Sequence, residues 1–201
     1  MTCQNTYVYE LDGNLYINLT NACSNRCTFC VRNGKDSYYG NSLWLNKLPT
    51  AEDVLSQIPD VKKYPQIVFC GFGEPTERLD VLLEIATALK QKGAYVRLNT
   101  NGQADLINQK KTAPLLKGKV DKINVSLNAP TAKEYQAVCL SRYGEQAFDA
   151  LLSFAKDCQN EGIDVVLSVV DVIGEDAVAR CRALTEKHGL KLRVRKMISD
   201  S

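Results

Sequence analysis

This chain predicts a partial (β/α)6 TIM-like barrel with parallel strands, because short apolar strands alternate with amphipathic helices in six units and no linker interrupts the series. Its 201 residues, 45% of them hydrophobic, suffice for one sizeable core, so residues 1–201 are read as a single domain. A complete eight-unit barrel takes about 250 residues. Six units fit this length, and a six-unit barrel stays open along one side.

The first strand is the run 15–19, Leu-Tyr-Ile-Asn-Leu. Thr50 ahead of Ala51, Glu52 and Asp53 reads as a helix N-cap with acid in the first turn, where the helix leaves N–H groups unpaired. The second strand is 66–70, and Leu79, Leu82, Leu83, Ala86 and Leu89 then recur at helical spacing. Strands follow at 95–98 and 122–127, with a second helical pattern in Phe148, Leu151, Leu152 and Ala155. The last strands are 164–170 and 190–194. Gly93, Gly162 and Gly189 stand where helices stop, since glycine accepts the left-handed conformation of a helix C-terminus.

Directly after the first strand comes Cys-Ser-Asn-Arg-Cys-Thr-Phe-Cys, placing Cys23, Cys27 and Cys30 at CxxxCxxC spacing. Thiolates are soft ligands suited to iron–sulfur clusters, zinc or copper(I). A four-iron cluster held by three cysteines has one iron free for another ligand. Closed structural zinc wants four ligands, and the only histidine, His188, lies far away with no ligand-like neighbours. An open three-ligand zinc site, a disulfide pair and plain buried thiols are the other readings of the triplet. Cys70 could supply a fourth ferredoxin ligand, but nothing around it reads as a second half-site. Cys3, Cys70, Cys139, Cys158 and Cys181 are isolated and are read as small core residues or unremarkable thiols.

The net charge of +2, with no long basic run, predicts neither nucleic-acid nor membrane binding. No apolar stretch is long enough to span a bilayer, and the N-terminus lacks the pattern of a signal peptide. Eight cysteines without a secretory signal point to a reducing, cytoplasmic location.

In parallel β/α folds chemistry collects at the C-terminal ends of strands. There this chain carries Gly71-Phe72-Gly73-Glu74-Pro75-Thr76, then Asn99-Thr100-Asn101-Gly102, then Ser126-Leu127-Asn128-Ala129-Pro130. The glycines permit close backbone approach, and Asn, Ser and Thr offer donors and acceptors. Each segment by itself is equally a turn, and Asn101 reads as a turn residue. Asp171 ends the fifth strand. Arg193 and Arg195 share one face of the sixth, turned either into the barrel or toward solvent on an edge. Arg32, Lys35, Tyr38, Tyr39 and Trp44 form a polar and aromatic wall after the cysteines, and the segment 34–44 could close the barrel mouth.

The cysteine spacing, with Phe29 before the third cysteine and Gly-Phe-Gly-Glu one unit later, resembles the radical S-adenosylmethionine (SAM) enzymes over essentially the whole chain. That resemblance implies a [4Fe–4S] cluster on Cys23, Cys27 and Cys30, with SAM chelated to the fourth iron. It implies SAM contacts from Phe29, Gly71, Phe72, Gly73 and Glu74, the last meeting the methionyl ammonium, and from Asn99, Ser126 and Asn128. The six-unit barrel is also that family's core. The cofactor would carry the reaction, abstracting hydrogen from a substrate carbon, so no catalytic acid or base is assigned. Candidate substrate residues are Asp171, Arg193, Arg195, Trp44 and Tyr39.

Asn-Ser-Leu-Trp-Leu, Cys-Gly-Phe-Gly-Glu-Pro-Thr and Val-Val-Asp-Val-Ile-Gly make the chain similar to a small radical SAM group named for association with TatD nucleases. The resemblance implies a queuine lyase of queuosine salvage. Such an enzyme cleaves the cyclopentenediol from the amine, releasing 7-aminomethyl-7-deazaguanine, and draws electrons from a flavodoxin or ferredoxin. Another small-metabolite reaction, activation of a glycyl-radical partner, and a metal-binding or electron-transfer module without turnover remain the alternatives.

Overall fold

The computed structural model describes residues 5–197. A seven-stranded sheet runs in sequence order from β1 (Val8–Leu11) and β2 (Asn14–Ile17) through β3 (Ile67–Phe69), β4 (Val96–Thr100), β5 (Lys122–Ser126), β6 (Asp164–Val170) and β7 (Lys191–Arg195). The six strands from β2 to β7 pair in parallel, as the sequence predicts, and β7 does not close onto β1. It is an open half-barrel.

β1 is the strand the periodicity missed, and it pairs antiparallel with β2. Its signal was present: Val-Tyr-Glu-Leu ends in Asp12-Gly13, and both turn residues take positive φ (49° and 73°), the requirement of a tight hairpin. Helices cover the outer face. They are α1 (Ala51–Leu55), α2 (Leu79–Gln91), α3 (Ala104–Asn108), α4 (Ala113–Leu116), α5 (Ala132–Cys139), α6 (Gln146–Asn160) and α7 (Glu175–Lys187). Thr50 and Asp53 close a reciprocal capping box on α1 (Asp53 N to Thr50 Oγ1 3.1 Å, Thr50 N to Asp53 Oδ2 2.9 Å). Gly93, Gly162 and Gly189 all have positive φ at their helix-to-strand junctions.

Strand alternation separates two faces. Ile17, Phe69, Leu98, Ile123 and Leu167 turn outward and are completely buried against the helices, with Leu82, Ile85 and Leu89 of α2 among their partners. Burying one such side chain is worth about 1.5–3 kcal/mol. The opposite face lines the lumen and is polar in rows: Arg97 beside Lys122 and Asp164, Asn99 beside Asn124, Ser126 beside Ser168 and Arg193. Hydrophobic packing thus holds the strands from outside, leaving the inside free for polar groups.

Candidate cofactor and substrate site

The cysteine loop lies on the C-terminal rim and is pinned from three sides. Arg26 N and Thr28 N donate to the carbonyls of Cys139 and Val138 at the end of α5 (3.0 and 2.9 Å), and Arg142 N donates to Ser24 O (2.9 Å). Beneath it, Asn25, Gln103 and Tyr135 form a buried triangle (Asn25 Nδ2 to Tyr135 OH 3.0 Å, Gln103 Nε2 to Asn25 Oδ1 2.7 Å, Gln103 Nε2 to Tyr135 OH 2.9 Å). Arg32 ties the loop's far end to its neighbour, donating through Nη1 to Asn21 O (2.9 Å) and Phe72 O (3.1 Å).

Cys23, Cys27 and Cys30 are free, half-buried thiols with electrostatic contact between Cys23 and Cys27 and between Cys27 and Cys30. Burial, aided by the Glu74 charge, pushes the Cys23 thiol up to about 12. Cys27 is raised by donating its proton to Cys139, then by burial, and Cys139 is lowered by the same contact. Burial also raises Cys30. Among the described residues no group of three or more Cys, His, Asp and Glu side chains converges on one metal ion. Three neighbouring soft thiols on one loop are the ligand set that a [4Fe–4S] cluster with one open iron takes.

The Gly-Phe-Gly-Glu loop packs directly on this segment. A Cβ on Gly73 would stand 2.2 Å from Thr20 O and 2.6 Å from Ala22 O, and one on Gly71 would stand 2.1 Å from Asn18 Oδ1. Only glycine fits. Glu74 N donates to Ala22 O (2.8 Å), completing the seam. Phe72 is 4% exposed, and its ring packs with Tyr9 and Leu43, edge-on to Trp44, because a large apolar side chain takes the dry side of the loop and leaves the backbone as the part available to a ligand. Its carbonyl meets the segment after the cysteines, accepting from Arg32 Nη1 (3.1 Å).

Glu74, expected to meet the SAM ammonium, is also tied into the protein itself. It is 3% exposed, and Oε1 accepts from Thr76 N (3.1 Å), Thr76 Oγ1 (2.8 Å) and Thr100 Oγ1 (2.7 Å). Oε2 accepts from Asn101 N (2.7 Å). Burial raises its proton affinity against the pull of these donors. Glu74 therefore brackets the ends of β3 and β4, with one oxygen able to accept a further bond. Asn101 is more than a turn residue, because its Nδ2 donates to Ser24 Oγ (2.8 Å) and lies 3.9 Å from Cys23 Sγ. Sequence reasoning missed Asn101, Gln103, Asn25 and Tyr135, since each has a local setting that explains it: an Asn-Gly turn for Asn101, a helix start for Gln103, a helix for Tyr135 and the cysteine loop for Asn25.

Beside the cysteines a mainly apolar cavity of ≈ 520 Å³ is lined by Phe29, Asn128, Ala129, Val138 and Ile173 among others. Asn128 has positive φ (56°), donates to Cys139 Sγ (3.6 Å), and its buried Oδ1 has no partner. An apolar slot holding one unpaired acceptor suits a flat heterocycle with an amino group, such as adenine. Asn99 and Ser126 sit instead on the lumen face, where Asn99 Oδ1 accepts from Asn124 Nδ2 (3.1 Å).

The substrate candidates scatter. Arg193 and Arg195 both lie on the lumen face of the edge strand β7, Arg195 with a buried Nε and Arg193 exposed. Asp171 is exposed at the rim and accepts from Met197 N (2.8 Å), holding the end of β7. Trp44 is 37% exposed, lies under the Arg32 guanidinium (5.9 Å) and donates to Lys35 O (3.0 Å). Tyr39 is 50% exposed; its neighbour Tyr38 is the one that reaches Tyr9, Tyr16 and Arg195. In this way the segment after the cysteines spans the open side of the barrel. Cys139, Cys158 and Cys181 are buried core thiols, whereas Cys70 faces the lumen; Cys3 lies outside the described residues. His188 caps α7. No helix among the described residues is long and apolar enough to cross a membrane.

Comparison with known proteins agrees with this geometry. Residues 17–178 match the radical SAM superfamily. An Fe-coproporphyrin III synthase of Methanosarcina barkeri is 32% identical over 154 residues, which are 75% of this chain and 35% of that protein. A probable GTP 3',8-cyclase of Saccharolobus solfataricus is 34% identical over 154 residues, 74% of this chain and 44% of that one. The chain thus spans less than half the length of these relatives. In fold it is similar to SuiB of Streptococcus suis bound to S-adenosylmethionine (TM-score 0.65, 19% identity, 91% of this chain and 38% of that one). It is also similar to anSMEcpe with bound AdoMet (TM-score 0.62, 19% identity, 91% and 50%).

Proposed function

The chain belongs to the radical SAM superfamily, and on that premise we propose that it abstracts hydrogen from a small substrate bound in the barrel lumen, most specifically as a queuine lyase. Its cofactors are a [4Fe–4S] cluster and S-adenosylmethionine, which when bound supply the hydrogen abstraction. The observation that carries the reading is the seam itself: a three-cysteine loop locked on a Gly-Phe-Gly-Glu loop at the strand ends, with an adenine-sized cavity alongside.

Cys23, Cys27 and Cys30 would hold the cluster. Glu74, through its second oxygen and the loop backbone at Gly71, Phe72 and Gly73, would meet the SAM ammonium. Phe29 and Asn128 would receive the adenine, and Asn99 and Ser126 would face the ribose side. The residues fit these groups: the thiols are close together, the one buried acceptor in the cavity is unpaired, and the glycines admit no side chain. What the chain itself contributes is positioning and exclusion of water. Tyr38 and Trp44 cover the open side, while Arg195 and Asn99 line the interior. An external flavodoxin or ferredoxin would deliver electrons.

The queuine assignment rests on the sequence resemblance. The relatives named above carry other activities, and the Saccharolobus protein is named for GTP, whose guanine shares its 2-amino-6-oxo edge with 7-deazaguanine. The test is anaerobic reconstitution, reduction, and mass spectrometry after addition of SAM and queuine. 5′-Deoxyadenosine and 7-aminomethyl-7-deazaguanine should appear together. If queuine does not raise deoxyadenosine above the substrate-free background, the lyase reading falls.

A further inference from the structure

Asn101 stands between the cysteine loop and the Gly-Phe-Gly-Glu loop and is held at three of its polar atoms. Its backbone N–H donates to Glu74 Oε2 (2.7 Å), its Oδ1 accepts from Gln103 N (2.9 Å), and its Nδ2 donates to Ser24 Oγ (2.8 Å). All four residues are buried. The turn that presents Asn101 is equally fixed, because Gly102 takes positive φ (79°) and a Cβ there would stand 2.7 Å from both Leu151 Cβ on α6 and Val125 Cγ1 on β5. Such a turn leaves the side chain one place to go.

These partners also fix which end of the amide is which. Gln103 N–H is a donor, so the Asn101 atom that it meets is the carbonyl oxygen, and the NH2 group faces the cysteine loop. That group carries two N–H donors. One serves Ser24 Oγ, and the same nitrogen stands 3.9 Å from Cys23 Sγ, within the longer reach of a sulfur acceptor. A neutral thiol is a weak acceptor and gains little from such a donor. A thiolate on iron carries negative charge and gains more, since hydrogen bonds to ionised acceptors are the strong ones.

We propose that Asn101 is a positioning residue for electron entry: its amide, aimed at Cys23, raises the reduction potential of the cluster that Cys23 holds. Reduction adds one electron, and part of the added negative charge falls on the ligating sulfurs. A fixed N–H donor therefore stabilises the reduced cluster more than the oxidised one. Because Glu74 holds the Asn101 backbone, the loop assigned to SAM and the donor assigned to the cluster form one rigid unit. The inference rests on the radical SAM reading and names a role for a residue outside the cysteine and Gly-Phe-Gly-Glu segments.

The test is a redox titration of the reconstituted, SAM-free enzyme with titanium(III) citrate, followed by EPR of the reduced cluster, so that SAM plays no part in the readout. At the wild-type midpoint, Asn101→Ala should lower the ratio of reduced to oxidised cluster by roughly threefold to tenfold, the scale of part of one charge-assisted hydrogen bond. For a one-electron couple that is a midpoint about 28–59 mV more negative. Iron and sulfide content should not change. Asn101→Asp keeps an oxygen for Gln103 N–H and replaces the donor by an acceptor, so it should lower the midpoint at least as far, and it decides the matter if Asn101→Ala loses iron. Ser24→Ala removes the 2.8 Å bond but leaves the N–H on Cys23; it should lower the thermal midpoint and leave the potential at the wild-type value. An unchanged potential in the Asn101 variants overturns the proposal. So does an equal fall in Ser24→Ala, which would make packing of the loop the cause. Loss of iron from both Asn101 variants overturns it too, by making the residue a structural support. Failure of the radical SAM reading shows separately, as wild-type protein that holds no iron.

Discussion

Replacing Glu74 with glutamine separates a bracket from a ligand. The carboxylate is buried and accepts four hydrogen bonds, three on Oε1 and one on Oε2. Glutamine of the same shape can keep the three on its oxygen, though without charge assistance. Its amide nitrogen then points at Asn101 N–H, donor against donor, and that N–H is left unpaired. Stranding a buried donor costs about 1–3 kcal/mol, and weakening charged bonds to neutral ones adds roughly another 1, so the fold should lose about 2–4 kcal/mol. For a chain of this length each kcal/mol moves the midpoint by about 2–4 °C, giving a fall of roughly 4–16 °C. The assay is thermal unfolding of the metal-free chain followed by circular dichroism, where SAM plays no part. An unchanged midpoint together with weakened SAM binding in the loaded protein would show that the carboxylate serves the cofactor alone, and the bracket argument would be wrong.

Alanine at Cys23, Cys27 or Cys30 should abolish iron retention, whereas Cys158→Ala and Cys181→Ala, in the buried core, should keep about four irons per chain by iron and sulfide analysis; full retention in Cys27→Ala contradicts the ligand assignment. Gly73→Ala drives a Cβ within 2.2 Å of Thr20 O and should open the seam, lowering both thermal midpoint and iron content; Gly93→Ala, which meets nothing within 4 Å, should leave iron content alone. In the metal-free chain the buried thiols prefer their neutral form: burial pushes Cys181 from 9.0 up to about 11 and Cys23 up to about 12. Because the folded values lie above the unfolded one, their contribution is fully present below about pH 9 and is lost as pH rises through about 11–12. Unfolding midpoints measured across that range under reducing conditions should fall, and Cys181→Ala should flatten part of the fall.

The short apolar runs and the glycine stops made the six parallel strands legible, because strand and helix periods are local properties of the chain. The same holds for the Thr50 cap and for the cysteine triplet, whose spacing of three and two residues already brings the thiols to one loop. β1 was written in Val-Tyr-Glu-Leu-Asp-Gly but is too short for periodicity to announce. Partnership across sequence distance was not legible at all. That Glu74 is held by Asn101, that the Phe72 ring turns to Tyr9 and Leu43, and that of the two lumen-face arginines Arg195 is covered while Arg193 stays exposed depend on which loops meet at the rim. Asn101 looked like half of a turn because nothing in its own neighbourhood shows Ser24 and Cys23, over seventy residues earlier. The sequence by itself determined the repeating β/α architecture and the chemistry of the three thiols, through local periodicity and ligand softness. Only the tertiary structure decided the seam between the two loops and the aim of the Asn101 amide at Cys23, because close packing and hydrogen-bond satisfaction are settled between segments that the fold alone brings together.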